Sequence, residues 1–249
     1  MTRALRAVLT LGVVVGMLAA PASLRAQSKK QYDEILNELR QIRQLLEKLT
    51  SAPPVAQAPA PQPPPAVKLA DVRGYAIGKA DAPLTMIEFT DMQCPFCRQF
   101  HLTTFDQLKK NYIDTGKLRY VSRDFPLEAI HPLALAAAKA ARCAGEQDRF
   151  WDLRHQVMLN NAQLNPQMIG TLADDLKLDM PAFHACTDQS ARFEADIRKD
   201  IADGTTIGIS GTPSFVVGRS TLDGVDGVLL VGALPYAAFE SRFKELLQK

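Results

Sequence analysis

The chain has 249 residues, which is enough for one or two domains with a sizeable hydrophobic core. Its 29 basic and 27 acidic residues give a formal net charge of +2. A chain so close to neutral argues against a nucleic-acid partner, because phosphate binding needs a strongly basic face.

The first 26 residues have the layout of a secretory signal peptide. Arg3 and Arg6 precede an apolar run that ends at Ala20, and small residues follow as far as Ala26. The alternative is an uncleaved membrane anchor, but the run is shorter than the ~18 residues that a spanning helix needs. We therefore expect cleavage of residues 1–26 and export to a compartment in which disulfides persist.

Residues 27–50 are predicted to form an amphipathic helix with coiled-coil character. The segment has no Gly or Pro, and its apolar residues recur at alternating steps of three and four, which is a heptad pattern. We expect a homo-oligomer held by a coiled coil through residues 28–50, with a strand number that the pattern leaves open. The alternative is one amphipathic helix packed on the globular part of its own chain. The apolar positions are Tyr32, Ile35, Leu39, Ile42, Leu46 and Leu49.

Residues 51–66 are predicted to be a linker. Seven of these sixteen residues are Pro, and none is charged. Proline removes the amide donor and fixes φ, so neither a helix nor a sheet is expected here. Extended polyproline geometry would span roughly 50 Å, which makes the segment a semi-rigid spacer.

Residues 67–249 are predicted to form one α/β domain. A strand is followed by a helix, a second strand, a long helical stretch, two paired strands and a last helix. This order predicts an α/β sheet that carries an all-helical insertion at about 127–205. The expected strands are 84–91, 117–125, 214–218 and 227–232, and the expected helices are 95 to about 115, several within about 131–203, and 235–247.

The stretch "TDMQCPFCRQF" places Cys94 and Cys97 at the junction of a predicted strand and a predicted helix. Cys94 falls near the helix N-cap and Pro95 just inside, where a missing amide costs nothing. Free amides and the positive end of the helix dipole then face the Cys94 sulfur and favour the thiolate. The thiolate is the form that attacks and leaves in disulfide exchange. The pair is therefore a candidate redox centre.

Two other readings of this pair are weaker. A zinc site would need two more ligands, and the other cysteines are single and far apart in the sequence. A purely structural disulfide across so short a loop would stabilise little by loop closure.

We expect Cys143 and Cys186, both in the helical insertion, to form a structural disulfide in an exported domain. The alternative is two small buried thiols.

"FTDMQCPFC", the strand before it, the later "SGTPSFVVG" and the helical insertion resemble the DsbA-like family of thiol:disulfide oxidoreductases. The resemblance covers nearly everything after residue 67 and implies a thioredoxin fold with an all-helical insertion, preceded here by the signal peptide, heptad helix and Pro-rich linker. It implies that Cys94 attacks, that Cys97 is the buried resolving cysteine, and that Pro213 is a cis-proline facing the pair. The backbone of Thr212 would then lie where a substrate strand can pair with it.

Two further residues gain a meaning from the resemblance. Glu88 lies six residues before Cys94 in an apolar strand, and the family has an acidic residue there that helps to move protons near the buried cysteine. Phe96 departs from the best-known members, which commonly have His at this position. Since Phe cannot stabilise the Cys94 thiolate by charge, we expect a milder oxidant. Phe96 would also line a shallow apolar groove for unfolded chains.

These observations predict an exported, periplasmic enzyme that exchanges disulfides with protein substrates, in the direction of disulfide formation. Its partners would be unfolded or partly folded exported proteins, and the resemblance implies reoxidation by a DsbB-type membrane quinone oxidoreductase. No bound metal or organic cofactor is required. One alternative is a disulfide isomerase or reductase that works as a coiled-coil oligomer. An alternative of another class is a non-catalytic oligomeric binding or adaptor protein.

Overall fold

The computed structural model describes residues 22–51 and 63–248. Most of the predicted signal peptide and linker, residues 1–21 and 52–62, lies outside this part of the chain. The described residues belong to two units that divide after residue 62. Within the described segments, no helix combines the length and the apolar character needed to cross a bilayer.

The first unit contributes one helix, α1, over Ala22–Ser51. It begins five residues before the predicted start at residue 27. Five of the six heptad positions have described side chains, and each is more than half exposed, from 52% at Ile42 to 65% at Tyr32. Arg43 and Glu47 form an ion pair of 2.9 Å on the polar side of the same helix.

The second unit is built on a six-stranded sheet with the order β1-β6-β5-β3-β4-β2. Strands β3 and β4 are parallel, and all other neighbouring strands are antiparallel. The strands are β1 Ala66–Leu69, β2 Tyr75–Ile77, β3 Leu84–Thr90, β4 Leu118–Asp124, β5 Ser214–Thr221 and β6 Gly224–Val231.

Helices cover the sheet and form the insertion between β4 and β5. After β3 the chain enters α2, Pro95–Phe100, and continues through a π-helical turn at His101–Phe105, the short α3 at Asp106–Leu108 and a second π-helical turn at Lys109–Ile113. The remaining helices are α4 Ala134–Gly145, α5 Phe150–Asn160, α6 Pro166–Asp175, α7 Met180–Asp188, α8 Glu194–Thr206 and α9 Tyr236–Gln248.

The predicted fold class and order of the main elements are confirmed, but two strands were not predicted from the sequence. β1 begins at Ala66, a residue assigned to the linker, and pairs with β6. β2 pairs with β4 at the opposite edge. Both are edge strands of three or four residues, and neither has the run of apolar residues or the clean alternation by which longer strands are recognised.

Buried residues of the sheet and of the helical insertion both pack around the two cysteines. All seven residues of β3 are buried, and the chain leaves this strand directly into the turn that precedes α2. The insertion packs on the same place, because Cys94 and Cys97 share a buried cluster with Ala137, Ala141 and Phe183. The two cysteines therefore lie at the boundary between the sheet and the helical insertion.

Candidate active site

Cys94 occupies the N-cap of α2 with an extended backbone, φ −69° and ψ 125°, and Pro95 takes the first helical position. Its carbonyl accepts the amide of Arg98 at 3.1 Å, which closes the first turn. Cys97 follows one turn later, so that both side chains meet at the helix N-terminus. Both cysteines are reduced and buried.

The environment of Cys94 favours its thiolate. A hydrogen bond from Cys97 is the largest of the interactions that lower the pKa of Cys94 from 9.0 to about 6. The side chain of Thr212 and the backbone amides of Phe96 and Cys97 lower this pKa further, and burial opposes them. The free amides at the helix start contribute to this shift, but the neighbouring sulfur contributes most.

Cys97 has the opposite character. Burial, followed by the hydrogen bond that it donates to Cys94 and the negative charge of Glu88, raises its pKa well above 9.0. The backbone amide of Asp91 lies 3.5 Å from the Cys97 sulfur and acts in the opposite direction, lowering this pKa. Cys94 is thus the cysteine that ionises readily, whereas Cys97 remains a protonated thiol.

Thr212 and Pro213 lie beside the pair. Their peptide bond is cis, and the thiol of Cys94 donates to the Thr212 carbonyl at 3.4 Å. The Pro213 carbonyl in turn accepts the amide of Gly232 at 2.8 Å, which ties this loop to the end of β6. The buried Thr212 Oγ1 has no hydrogen-bond partner among the described residues. It is free to donate to Cys94 once that sulfur becomes a thiolate.

Glu88 is fully buried in β3 beneath the turn. Its Oε2 atom accepts hydrogen bonds from Tyr120 of β4 and from the Nη2 atom of Arg154 in α5. Its Oε1 atom has no partner within the described part of the chain. The carboxylate is therefore fixed at one oxygen and open at the other, close enough to Cys97 to influence its pKa.

The groups that hold the active-site turn were not predicted from the sequence. Asp91 is buried and accepts the amide of Gln93 at 2.8 Å with Oδ1, while Oδ2 accepts the amide of Leu127 and faces His131, each at 2.8 Å. Asn161 donates to the Cys94 carbonyl at 3.1 Å from the end of α5. These contacts depend on the placement of the insertion, which the local sequence does not reveal.

The remaining predicted residues are Phe96, on the active-site turn, and the two cysteines of the insertion. Phe96 is 59% exposed beside the active-site turn and is available for contact with another chain. Cys143 of α4 and Cys186 of α7 form a disulfide with a Cα–Cα distance of 5.7 Å, inside the insertion. No group of three or more metal-ligating side chains occurs among the residues that the structure describes. The lowered pKa of Cys94 and the neighbouring thiol of Cys97 allow sulfur exchange at Cys94, with Cys97 as the second sulfur.

A family model described as Thioredoxin matches residues 70–226. The chain belongs to the thioredoxin family. The DsbA-like fold is confirmed by solved structures. AlphaDsbA1 of Wolbachia pipientis gives a TM-score of 0.62 at 24% identity, covering 70% of this chain and 90% of that one. BdbD of Bacillus subtilis, in its oxidised form, gives a TM-score of 0.60 at 22% identity, and the match covers 70% of this chain and 92% of BdbD. DsbA of Chlamydia trachomatis gives a TM-score of 0.57 at 20% identity, and the match covers 74% of this chain and 98% of that DsbA.

The chain is also similar to proteins of a different overall kind. The Na(+)/H(+) antiporter NhaA 3 of Salinispora tropica is 31% identical over 169 residues, which are 68% of this chain and 25% of the antiporter. NhaA 1 of Salinispora arenicola is 31% identical over 167 residues, which are 67% and 25%. The thioredoxin-family chain spans about a quarter of the length of these curated relatives.

Proposed function

We propose that the protein exchanges disulfides with exported protein substrates in the periplasm, in the direction of disulfide formation. The observation that carries this proposal is the asymmetry of the two sulfurs. The pKa of Cys94 is lowered to about 6, whereas that of the adjacent Cys97 is raised well above 9.0. A thiolate of low pKa is a good leaving group, so substrate is released readily from Cys94.

The reaction starts from a Cys94–Cys97 disulfide. A substrate thiolate attacks the Cys94 sulfur, the bond to Cys97 breaks, and Cys97 leaves as a thiolate that takes up a proton with the help of Glu88. A second substrate thiolate then attacks the substrate sulfur of the mixed disulfide, and Cys94 leaves as a thiolate. The substrate loses two electrons and gains a disulfide, while the enzyme becomes the dithiol. A DsbB-type membrane quinone oxidoreductase restores the disulfide.

The substrate would be held beside the reacting sulfur. The Thr212 carbonyl faces Cys94, and the exposed ring of Phe96 lies on the same turn. An extended, unfolded chain could form a hydrogen bond with the Thr212 carbonyl and cover the Phe96 ring. This supports unfolded or partly folded exported proteins as the substrate class.

A disulfide isomerase is the second candidate, and the exposed apolar stripe of α1 favours it. A homo-oligomer formed through this stripe would bring several Cys94 sulfurs to one substrate. The adaptor alternative needs no reactive cysteine at all. The three readings predict different results in one set of assays.

The test compares two substrates in glutathione buffer, one fully reduced and one with scrambled disulfides. Formation of disulfides in the reduced substrate is expected to be fast, and rescue of the scrambled one slow. Faster rescue than oxidation would favour the isomerase. Loss of both activities in Cys94→Ser is expected, and an unchanged cellular phenotype of that variant would favour the adaptor.

A further inference from the structure

The insertion supplies a buried cation to the redox site. Arg154 of α5 is 1% exposed and donates from Nη2 to the Glu88 carboxylate. Burial lowers the pKa of Arg154, but its electrostatic interactions with Glu88, and then with Tyr120 and Cys97, raise this pKa overall, so the guanidinium lies close enough to Cys97 to interact with it. A buried carboxylate without a partner takes up a proton, whereas one paired with a guanidinium stays ionised. The charge of Glu88 therefore depends on Arg154.

Two histidines fix the guanidinium. Arg154 Nη1 lies 3.4 Å from His101 Nδ1, and His101 Nε2 lies 2.7 Å from His155 Nδ1. A guanidinium can only donate, so His101 accepts with Nδ1, carries its hydrogen on Nε2 and donates to His155. Burial and the charge of Arg154 lower the pKa of His101 to about 3, so His101 remains a neutral acceptor. His155 is exposed and ends the chain of contacts at the surface.

The groups that face Glu88 and Arg154 come from every neighbouring element. They are Tyr120 and Asp124 on β4, Cys97 on α2, and His101 on the π-helical turn. The strand on the other side, β5, presents Phe215 opposite Glu88 and adds no charge. Tyr120 stays protonated, because burial and the charge of Glu88 raise its pKa well above 10.0. Arg154 is thus the only cation in direct contact with Glu88 among the described residues.

We infer that Arg154 is a positioning residue for the step in which Cys97 closes the disulfide: it keeps Glu88 ionised, with Oε2 occupied and Oε1 open for the Cys97 proton. This inference rests on the proposed disulfide exchange. In the closing step Glu88 accepts the proton of Cys97, and the Cys97 thiolate attacks the sulfur of Cys94 in a mixed disulfide. The bond from Cys94 to the outside thiol breaks, and that thiol leaves as a thiolate. Glu88 then returns the proton to solvent.

The test uses the aromatic disulfide dithiobis(nitrobenzoate) and the reduced full-length protein. Cys94 releases one coloured thiolate as it forms the mixed disulfide, and Cys97 releases the second as it closes the bridge. We expect Arg154→Met to leave the first phase unchanged and to slow the second roughly tenfold or more at pH 7, because the base is lost. The second phase should recover at high pH, where hydroxide can take the proton of Cys97 directly, while the wild-type second phase depends less on pH. Arg149→Met, which removes an exposed arginine paired with Asp152 just before α5, is the matched control.

A failure of this inference and a failure of the proposed function give different results. A folded Arg154→Met protein with the wild-type pH profile of the second phase would overturn the inference. A wild-type protein that gives no second phase would instead contradict the proposed function. A second measurement needs no Arg154 variant and covers the case in which Arg154→Met, with Glu88 buried and no cation beside it, fails to fold. The carbon-13 carboxyl signal of Glu88, assigned with Glu88→Gln, should be that of a carboxylate in the wild-type protein at pH 7, and the signal of a protonated carboxyl would also overturn the inference.

Discussion

The pKa of Cys94 makes the stability of the reduced protein depend on pH. This pKa is about 6 in the folded protein, against 9.0 for an ordinary cysteine. A thiol with a lowered folded pKa adds stability that is fully present above the unfolded value and is lost as the pH falls through the folded value. Replacing Cys94 with Ala removes this contribution. The difference in the free energy of unfolding between the wild-type protein and Cys94→Ala is therefore expected to grow as the pH rises.

The size of the difference follows from the two pKa values. The full shift corresponds to about 4 kcal/mol at high pH. Ionisation of the Cys94 thiol therefore adds close to zero to the free energy of unfolding at pH 5, about 1.4 kcal/mol at pH 7 and about 2.7 kcal/mol at pH 8. Cys97 has its pKa raised, so its own effect is confined to higher pH and does not enter this window.

The assay is denaturant unfolding of the wild-type protein and Cys94→Ala between pH 5 and pH 8. Cys97 is kept reduced in both proteins, and the Cys143–Cys186 bridge is kept intact and checked by thiol counting. Loss of packing at Cys94 contributes equally at every pH, so only the change with pH is interpreted. A stability difference that stays constant from pH 5 to pH 8 would refute the lowered pKa of Cys94.

Three other changes test separate parts of the account. Phe96→His should shift the glutathione equilibrium about tenfold towards the dithiol, since an imidazolium worth about 1.4 kcal/mol would stabilise the thiolate; an unchanged constant would contradict the role given to Phe96. Replacing Cys143 and Cys186 together with Ala should lower the free energy of unfolding by about 4 kcal/mol, for a bridge that spans 43 residues, and a loss near zero in chemical denaturation would contradict this. Ser at Leu39 and Ile42 should reduce the mass measured by sedimentation to that of one chain, whereas Ser at a polar position such as Gln44 should not; an oligomer that survives both changes would contradict the coiled coil.

The sequence alone predicted the parts of the site that depend on local structure. A strand that runs into a helix with Pro at its first turn was sufficient to place Cys94 at the N-cap. The longer strands were found because their apolar runs are continuous, and β1 and β2 were missed because short edge strands lack this signal.

The contacts of Glu88 could not be predicted in the same way. Its partners come from β4 and from α5, and their meeting depends on how the insertion packs against the sheet. One signal was present in α5. Arg154 shares a face with Leu153, Val157 and Met158, all buried, so its position in the helix indicated a buried arginine that needs a negative partner.

Equilibration of the Cys94–Cys97 pair with glutathione in the full-length protein, with acid quenching and mass mapping of the intermediate, tests directly whether the pair exchanges disulfides through Cys94. We expect reversible exchange between the dithiol and the disulfide, with a transient glutathione adduct on Cys94 and none on Cys97. A pair that fails to exchange with glutathione, or an adduct found on Cys97 instead, would contradict it.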